Sequence, residues 1–220
     1  MIRACVFDAY GTLFDVHSAV ARHAEAVGPA AAQVSQTWRT KQLEYTWVRS
    51  LMRRHADFWT CTVDALDFAL SAHGLGKRPD LAALLLGAYR GLAPFPEVRG
   101  VLEELKARGI AIGILSNGTR EMLEAAVEAA GLADLGMPLL SVEPLGVYKP
   151  DARVYRLAAD AFVLEPGEIS FQSSNAWDVA GARAFGFRTV WINRGAAPDE
   201  YDLRGDVPEL PSLDGLAACL

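Results

Sequence analysis

Cysteine is scarce in this 220-residue chain: Cys5, Cys61 and Cys219 are the only ones, and they have no paired metal-ligand spacing. That argues against a cysteine-built metal site and points to a reducing, cytoplasmic setting. Cys5, inside an apolar run, reads as a small core residue. Long apolar runs are lacking as well. No segment has the length and uniform apolarity of a membrane span, and the first apolar run carries Arg3 and stops at Asp8, unlike a signal peptide. Basic residues are in deficit, with 21 Lys plus Arg against 27 Asp plus Glu and a net charge of −6. This speaks against nucleic acid or an anionic membrane as partner, while an anionic small molecule could still be held where the local potential is positive. Internal repeats and low-complexity segments are absent. The remaining composition, 51% apolar and 22% charged, is that of an ordinary globular protein. The length suits one large domain or a domain with a sizeable insertion.

The pattern of elements is uneven along the chain. The run Ile2 to Phe7 is nearly all apolar and of strand length, as expected of a central parallel strand buried on both faces. Residues 15–92 read as helical throughout. Val34, Trp38, Leu43, Trp47 and Leu51 form one apolar set, with Tyr45, Val48 and Met52 as another. Leu66, Ala69 and Leu70 make a second stripe, and Leu81, Leu84, Leu85 and Ala88 a third. After Pro94-Phe95-Pro96 strands and helices alternate. Strands are expected at 110–115, 138–142, 169–172 and 188–192, and helices at 97–108, after Thr119, at 151–162 and after Asp178, with Gly109 closing the first of them. The tail beyond Gly195, with Pro198, Pro208 and Pro211, reads as irregular. Such alternation implies right-handed crossovers and a parallel sheet. The expected fold is therefore α/β: a Rossmann-like core of residues 1–14 and 93–220, with an all-helical cap, 15–92, inserted after the first strand.

In open parallel sheets ligands bind beyond the carboxyl ends of strands, where Asp8 stands; the alternative is that Asp8 merely caps a turn. Three strands of the core end in polar clusters: Asp8 with Thr12, Ser116 with Asn117, and Ser173 with Ser174, Asn175 and Asp178. Lys149 lies in the loop Tyr148-Lys149-Pro150. This order and spacing resemble the haloacid dehalogenase superfamily and, within it, the L-2-haloacid dehalogenases. The resemblance runs nearly end to end and includes Trp38 to Trp47, Leu115 to Gly118, Val147 to Pro150, Ser173 to Asp178 and Gly186 to Arg194.

The chemistry of the residues picks the same branch. Phosphatases of the superfamily carry a second aspartate two residues after the first, which protonates a leaving alkoxide. Here that position is Tyr10. Halide, a weak base, leaves without a proton, whereas a phosphate ester needs one. Only Asp178 remains of the last motif's acids, and one carboxylate pair beside Lys149 suits Mg²⁺ poorly. The resemblance implies hydrolysis of a short-chain (S)-2-haloacid to the (R)-2-hydroxyacid and halide through an ester on Asp8, with no cofactor and no metal. Lys149 would keep Asp8 ionised and Thr12 would support it. Asp178, Ser173 and Asn175 would activate water, with helix capping as the plainer role for the serines. Ser116 would take the substrate carboxylate. Arg39, Asn117 and Trp177 would cradle the halide, and Tyr10, Leu43 and Phe58 would line the pocket, with Tyr155 near Lys149. Arg49, Arg53 and Arg54 read as surface residues, and the four histidines as surface or packing groups.

Thr40 and Gln172 depart from the family pattern, the one following the cradle arginine and the other placing a polar group in a buried strand. Relatives tend to be homodimers, to which the aromatic cap helix around Trp47 could contribute. The competing functions are a phosphatase or phosphotransferase on the same fold, which Tyr10 disfavours, and a non-catalytic binding protein, in which Asp8 would repel an anion.

Overall fold

The computed structural model describes residues 1–220. At its centre is β1 (Ala4–Phe7), whose residues are all wholly buried, so both faces of the strand are covered. It is flanked by β2 (Ala111–Ser116) and β4 (Ile169–Ser173), with β3 (Leu139–Ser141), β5 (Arg188–Ile192) and β6 (Glu209–Leu210) further out. The six strands run in the order β3-β2-β1-β4-β5-β6 and every pairing is parallel. Phe7 lies in register with Ile114 and Gln172. β1 stops at Phe7, while β2 and β4 end at Ser116 and Ser173, so the three polar clusters follow the carboxyl ends of three adjacent strands on one side of the sheet.

The segment between β1 and the rest is helical: α1 (Ser18–Ala21), α2 (Ala24–Val27), α3 (Ala31–Met52), α4 (Phe58–Ala72) and α5 (Pro79–Arg90). Asp57 caps α4, accepting from the Thr60 N–H at 2.7 Å. The chain leaves and re-enters the sheet region through two adjacent stretches. The Asp15 N–H donates to Ala93 O at 2.8 Å, the Phe95 N–H donates to Leu13 O at 3.0 Å, and Phe14 and Pro94 form an antiparallel bridge. Then follow α6 (Val98–Ala107), α7 (Arg120–Ala129), α8 (Ala152–Phe162) and α9 (Ala176–Phe185) among the remaining strands. Gly181 lets α9 close on α8: a Cβ there would lie 2.5 Å from both Pro150 and the Tyr155 hydroxyl.

Three readings of the sequence are corrected here. The tail beyond Gly195 is not wholly irregular, since Glu209 and Leu210 extend the sheet against Trp191 and Ile192; a two-residue strand among prolines leaves no alternation to detect. On α3 the buried row is Val34, Trp38, Gln42 and Thr46, four residues apart, while Leu51 is 84% exposed and Val48 and Met52 are exposed too. Gln42 and Thr46 tolerate burial because both are hydrogen-bonded. On α5, Leu84 turns outward and Tyr89 takes the core position one turn after Leu85.

Candidate active site

Asp8 follows β1 directly and is 6% exposed; its N–H donates to Gln172 O at 2.9 Å. Three side chains from three separate segments donate to its carboxylate. Lys149 Nζ meets Oδ1 at 3.0 Å, Thr12 Oγ1 meets Oδ2 at 3.0 Å, and Asn175 Nδ2 meets Oδ2 at 3.1 Å. Lys149, 1% exposed, also donates to Asp178 Oδ2 at 2.8 Å and lies 4.9 Å from the centre of the Phe171 ring. Its backbone N–H donates to Asn117 Oδ1 at 3.0 Å, which ties the lysine loop to the end of β2. Burial opposes the lysine charge, and the carboxylates of Asp178 and Asp8 outweigh it, so the Lys149 pKa is raised. Asp178 is wholly buried. Burial pushes its carboxyl up to about 6, with Lys149 pulling against that shift and Asp8 adding to it.

The last cluster is organised by its own turn. Ser173 Oγ accepts from the Asn175 N–H at 3.1 Å, and Thr12 Oγ1 accepts from the Ser174 N–H at 2.8 Å while donating to Asp8. Ser173 thus shapes the turn that leads into α9, and its Oγ also lies 3.5 Å from Asn175 Nδ2. Ser116 is wholly buried and accepts from the Gly118 N–H at 3.1 Å, shaping the turn into α7. Gly118 is required by closeness: a Cβ there would sit 2.7 Å from the Tyr10 ring.

From the cap side, Arg39 on α3 reaches over this centre. Its Nη2 donates to Tyr10 O at 2.9 Å and lies 3.4 Å from Asn175 Oδ1, while Nη1 donates to Gln42 Oε1 at 3.0 Å. Two turns further along α3, Trp47 packs edge-on against Trp177 with ring centres 5.3 Å apart, and Leu43, midway between, is half-buried. Arg39, Leu43 and Trp47 are spaced four apart and so share one helix face. Tyr10 is buried between Tyr89 (5.8 Å, nearly parallel) and Phe58 (5.5 Å). Burial first, then Tyr89 and Asp8, hold its phenol well above the usual pKa, so it stays protonated.

The structure brings most of the expected residues together, with one correction. Tyr155 is wholly buried behind Asp178, to which its hydroxyl donates at 2.8 Å, and it packs on Phe171, Phe185 and Phe187. It supports the carboxylate and does not line a pocket. Thr40 is exposed, so its departure from the pattern leaves the site's walls unchanged. Gln172 donates to Ser170 Oγ at 2.6 Å, and its Oε1 has no partner. Of the histidines, His17 and His73 bond Ser35 and Thr37, and His55 lies tilted against Tyr148 with ring centres 5.1 Å apart. Arg49 is in an ion pair with Asp64 and only partly exposed, while Arg53 and Arg54 are exposed. Gln42, Thr62 and Tyr89, which the sequence did not single out, form a buried polar group behind Arg39. The one signal available was a glutamine one turn past the arginine on the same helix.

Comparison with known proteins agrees with this arrangement. Residues 2–186 match the family model of haloacid dehalogenase-like hydrolases. (S)-2-haloacid dehalogenase 1 of Pseudomonas sp. (strain CBS-3) is 50% identical over 219 residues, covering 100% of this chain and 96% of the relative. (S)-2-haloacid dehalogenase of Pseudomonas sp. (strain YL) is 52% identical over 208 residues, covering 94% and 89%. Among solved structures, the L-2-haloacid dehalogenase of Xanthobacter autotrophicus with chloropropionic acid covalently bound superposes with a TM-score of 0.88 at 36% identity, covering 99% and 98% of the two chains.

Proposed function

The chain belongs to the haloacid dehalogenase-like hydrolases, and from that membership we propose how its site works on a carbon–halogen bond. The activity is that of an (S)-2-haloacid dehalogenase, converting a 2-haloacid to the 2-hydroxyacid and halide. The observation that carries the mechanism is the grip on Asp8: both carboxylate oxygens are held by donors, and residue 10 supplies no second acid.

Asp8 is the nucleophile. One of its oxygens attacks C2 from behind the halogen, the C–O bond forms as the carbon–halogen bond breaks, and the halide departs with the bonding pair. Charge develops on the halide where Arg39 and the amide end of Asn117 can donate, with Trp177 as a wall. Ser116 and the start of α7 hold the substrate carboxylate. Tyr10, Leu43 and Phe58 bound the carbon chain, which keeps it short. Water then adds to the Asp8 carbonyl carbon and its proton goes to Asp178. The acyl C–O bond breaks as Asp178 returns that proton to the departing C2 oxygen, which releases the hydroxyacid; the proton of the added hydroxyl is lost to solvent, and Asp8 is again a carboxylate. A carboxyl raised to about 6 suits a base working near neutrality, and Ser173 and Asn175 orient the water.

No metal enters this scheme. Lys149 Nζ already bridges Asp8 and Asp178 at 3.0 and 2.8 Å, the position a cation shared by two carboxylates would take. Halide release from 2-chloropropionate should therefore be indifferent to a chelator, and phosphate release from a phosphomonoester in Mg²⁺ should be negligible. A Mg²⁺ requirement, or phosphatase turnover exceeding halide release, would move the chain to the phosphatase branch.

Residues 15–92 act as a cap that closes on a core of 1–14 and 93–220, hinged where Asp15 meets Ala93. The protein works in the cytoplasm, consistent with free Cys5, Cys61 and Cys219 and with no helix being long and apolar enough to cross a membrane. It forms a homodimer through the outer face of the cap, where Val48, Leu51, Met52 and Phe68 are exposed.

A further inference from the structure

We propose that Gln42 is a positioning residue for Arg39: with Thr62 and Tyr89 behind it, the buried carboxamide fixes the guanidinium that receives the leaving halide. The inference rests on the assignment of Arg39 to the halide.

Gln42 is 1% exposed in the middle of α3, an unfavourable place for an amide unless every end is bonded. Each end is. Oε1 accepts from Arg39 Nη1 at 3.0 Å and from the Tyr89 hydroxyl at 3.2 Å. Nε2 donates to Thr62 Oγ1 at 2.7 Å and lies 3.0 Å from the same tyrosine hydroxyl. The orientation of the amide is dictated by its neighbours. A guanidinium can only donate, so the oxygen must face Arg39. The Thr62 hydroxyl commits its proton to Phe58 O at 2.7 Å, so it must accept, and the nitrogen must face Thr62. Phe58 opens α4 and Tyr89 lies on α5, so three cap helices converge on one side chain.

The neutral character of the group matters as much as its geometry. The oxygens that Arg39 meets belong to Gln42, Tyr10 and Asn175, and none is a carboxylate. The guanidinium is thus oriented while its charge stays uncompensated, which is what stabilisation of a departing anion requires. An acid at position 42 would hold the arginine equally well and cancel its charge. Tyr89 adds a second link, since its ring stacks on Tyr10 at 5.8 Å and so couples the cap network to the loop that follows Asp8.

The test is the halogen dependence of the first chemical step. Gln42→Leu keeps the volume and removes both ends of the amide. In single turnovers with 2-chloro-, 2-bromo- and 2-iodopropionate, it should slow chloride release at least about tenfold and iodide release less than about threefold, because compact chloride depends most on a well-aimed donor. Equal slowing across the three halogens would overturn the proposal, as a merely structural role predicts that result. Should Gln42→Leu not fold, Thr62→Val carries the same test with the same two readings. Arg39→Lys separates the layers. If it slows all three halides alike, the halide assignment of Arg39 is at fault. If it slows chloride selectively and Gln42→Leu does not, only the positioning role fails.

Discussion

Asp8 and Arg39 meet at one point but are held there by different kinds of structure. Asp8 sits at the end of the central strand, and its partners Thr12, Lys149 and Asn175 come from loops that follow or adjoin parallel strands in register. Its place is set by the sheet. Arg39 comes from a helix of the inserted segment, and its place is set by a buried amide, a hydroxyl and a phenol within that segment. The core half of the site is a buried cluster in which two acids share one lysine. The cap half offers one cation with neutral partners only. The core half is built to hold charge through a covalent cycle, and the cap half to lend charge at one moment of it.

Substitutions should expose this contrast. The largest effect is expected at the nucleophile. Asp8→Asn, in a preparation free of deamidation, should fall below about one part in 10⁴ of native turnover, as expected when a reacting atom is lost. Appreciable activity there would remove Asp8 from its role. Next comes Lys149→Ala, which leaves two buried carboxylates unpaired. Turnover should drop at least about a hundredfold, and stability by about 3–5 kcal/mol in denaturant unfolding. Lys149→Arg should not restore the rate, because a planar fork cannot replace a compact ammonium between Asp8 and Asp178. Loss of activity with unchanged stability would argue against the buried triad as described.

A smaller effect should appear in the pH profile of ester hydrolysis. Asp178 must be ionised to accept a proton, and its carboxyl lies at about 6, so the rate should decline as pH falls through that value. The Tyr155 hydroxyl favours the ionised form. Tyr155→Phe should therefore move the acid limb upward, by up to about one pH unit. A downward move would contradict the assignment of Tyr155 to Asp178. The smallest effect belongs to the outer face of α3. Leu51→Ser should leave turnover within about twofold, as surface changes usually do, while weakening self-association in sedimentation.

The same contrast decides what could be read from sequence. Asp8, Ser116, Ser173 and Asn175 were legible because they follow short apolar strands, where a change from buried run to polar cluster marks a sheet edge. Lys149 and Asp178 were legible through the family resemblance that the order and spacing of the motifs carry. The cap was harder. Helical periodicity grouped Leu43, Trp47 and Leu51 with Val34 and Trp38 in one apolar set, whereas the buried row runs through Gln42 and Thr46. Hydrophobic pattern cannot reveal a buried polar residue whose partners lie on other helices, as Thr62 and Tyr89 do. Tyr155 was expected among the substrate-binding residues near Lys149; that it bonds Asp178 instead depends on how α8 and α9 pack, and that closeness relies on Gly181.

The central claim, that Asp8 carries the substrate as an ester, is tested most directly by the source of the product's oxygen. In a single turnover with enzyme in excess and ¹⁸O-labelled water, Asp8 supplies the oxygen that bonds to C2, and water attacks only the Asp8 carbonyl carbon. The released 2-hydroxyacid should then carry unlabelled oxygen at C2, and the label should be found in the Asp8 carboxylate. Were Asp8 a general base for direct attack of water on C2, the configuration would invert all the same, but the first product molecule would be labelled at C2 and Asp8 would stay unlabelled. That result would contradict the account.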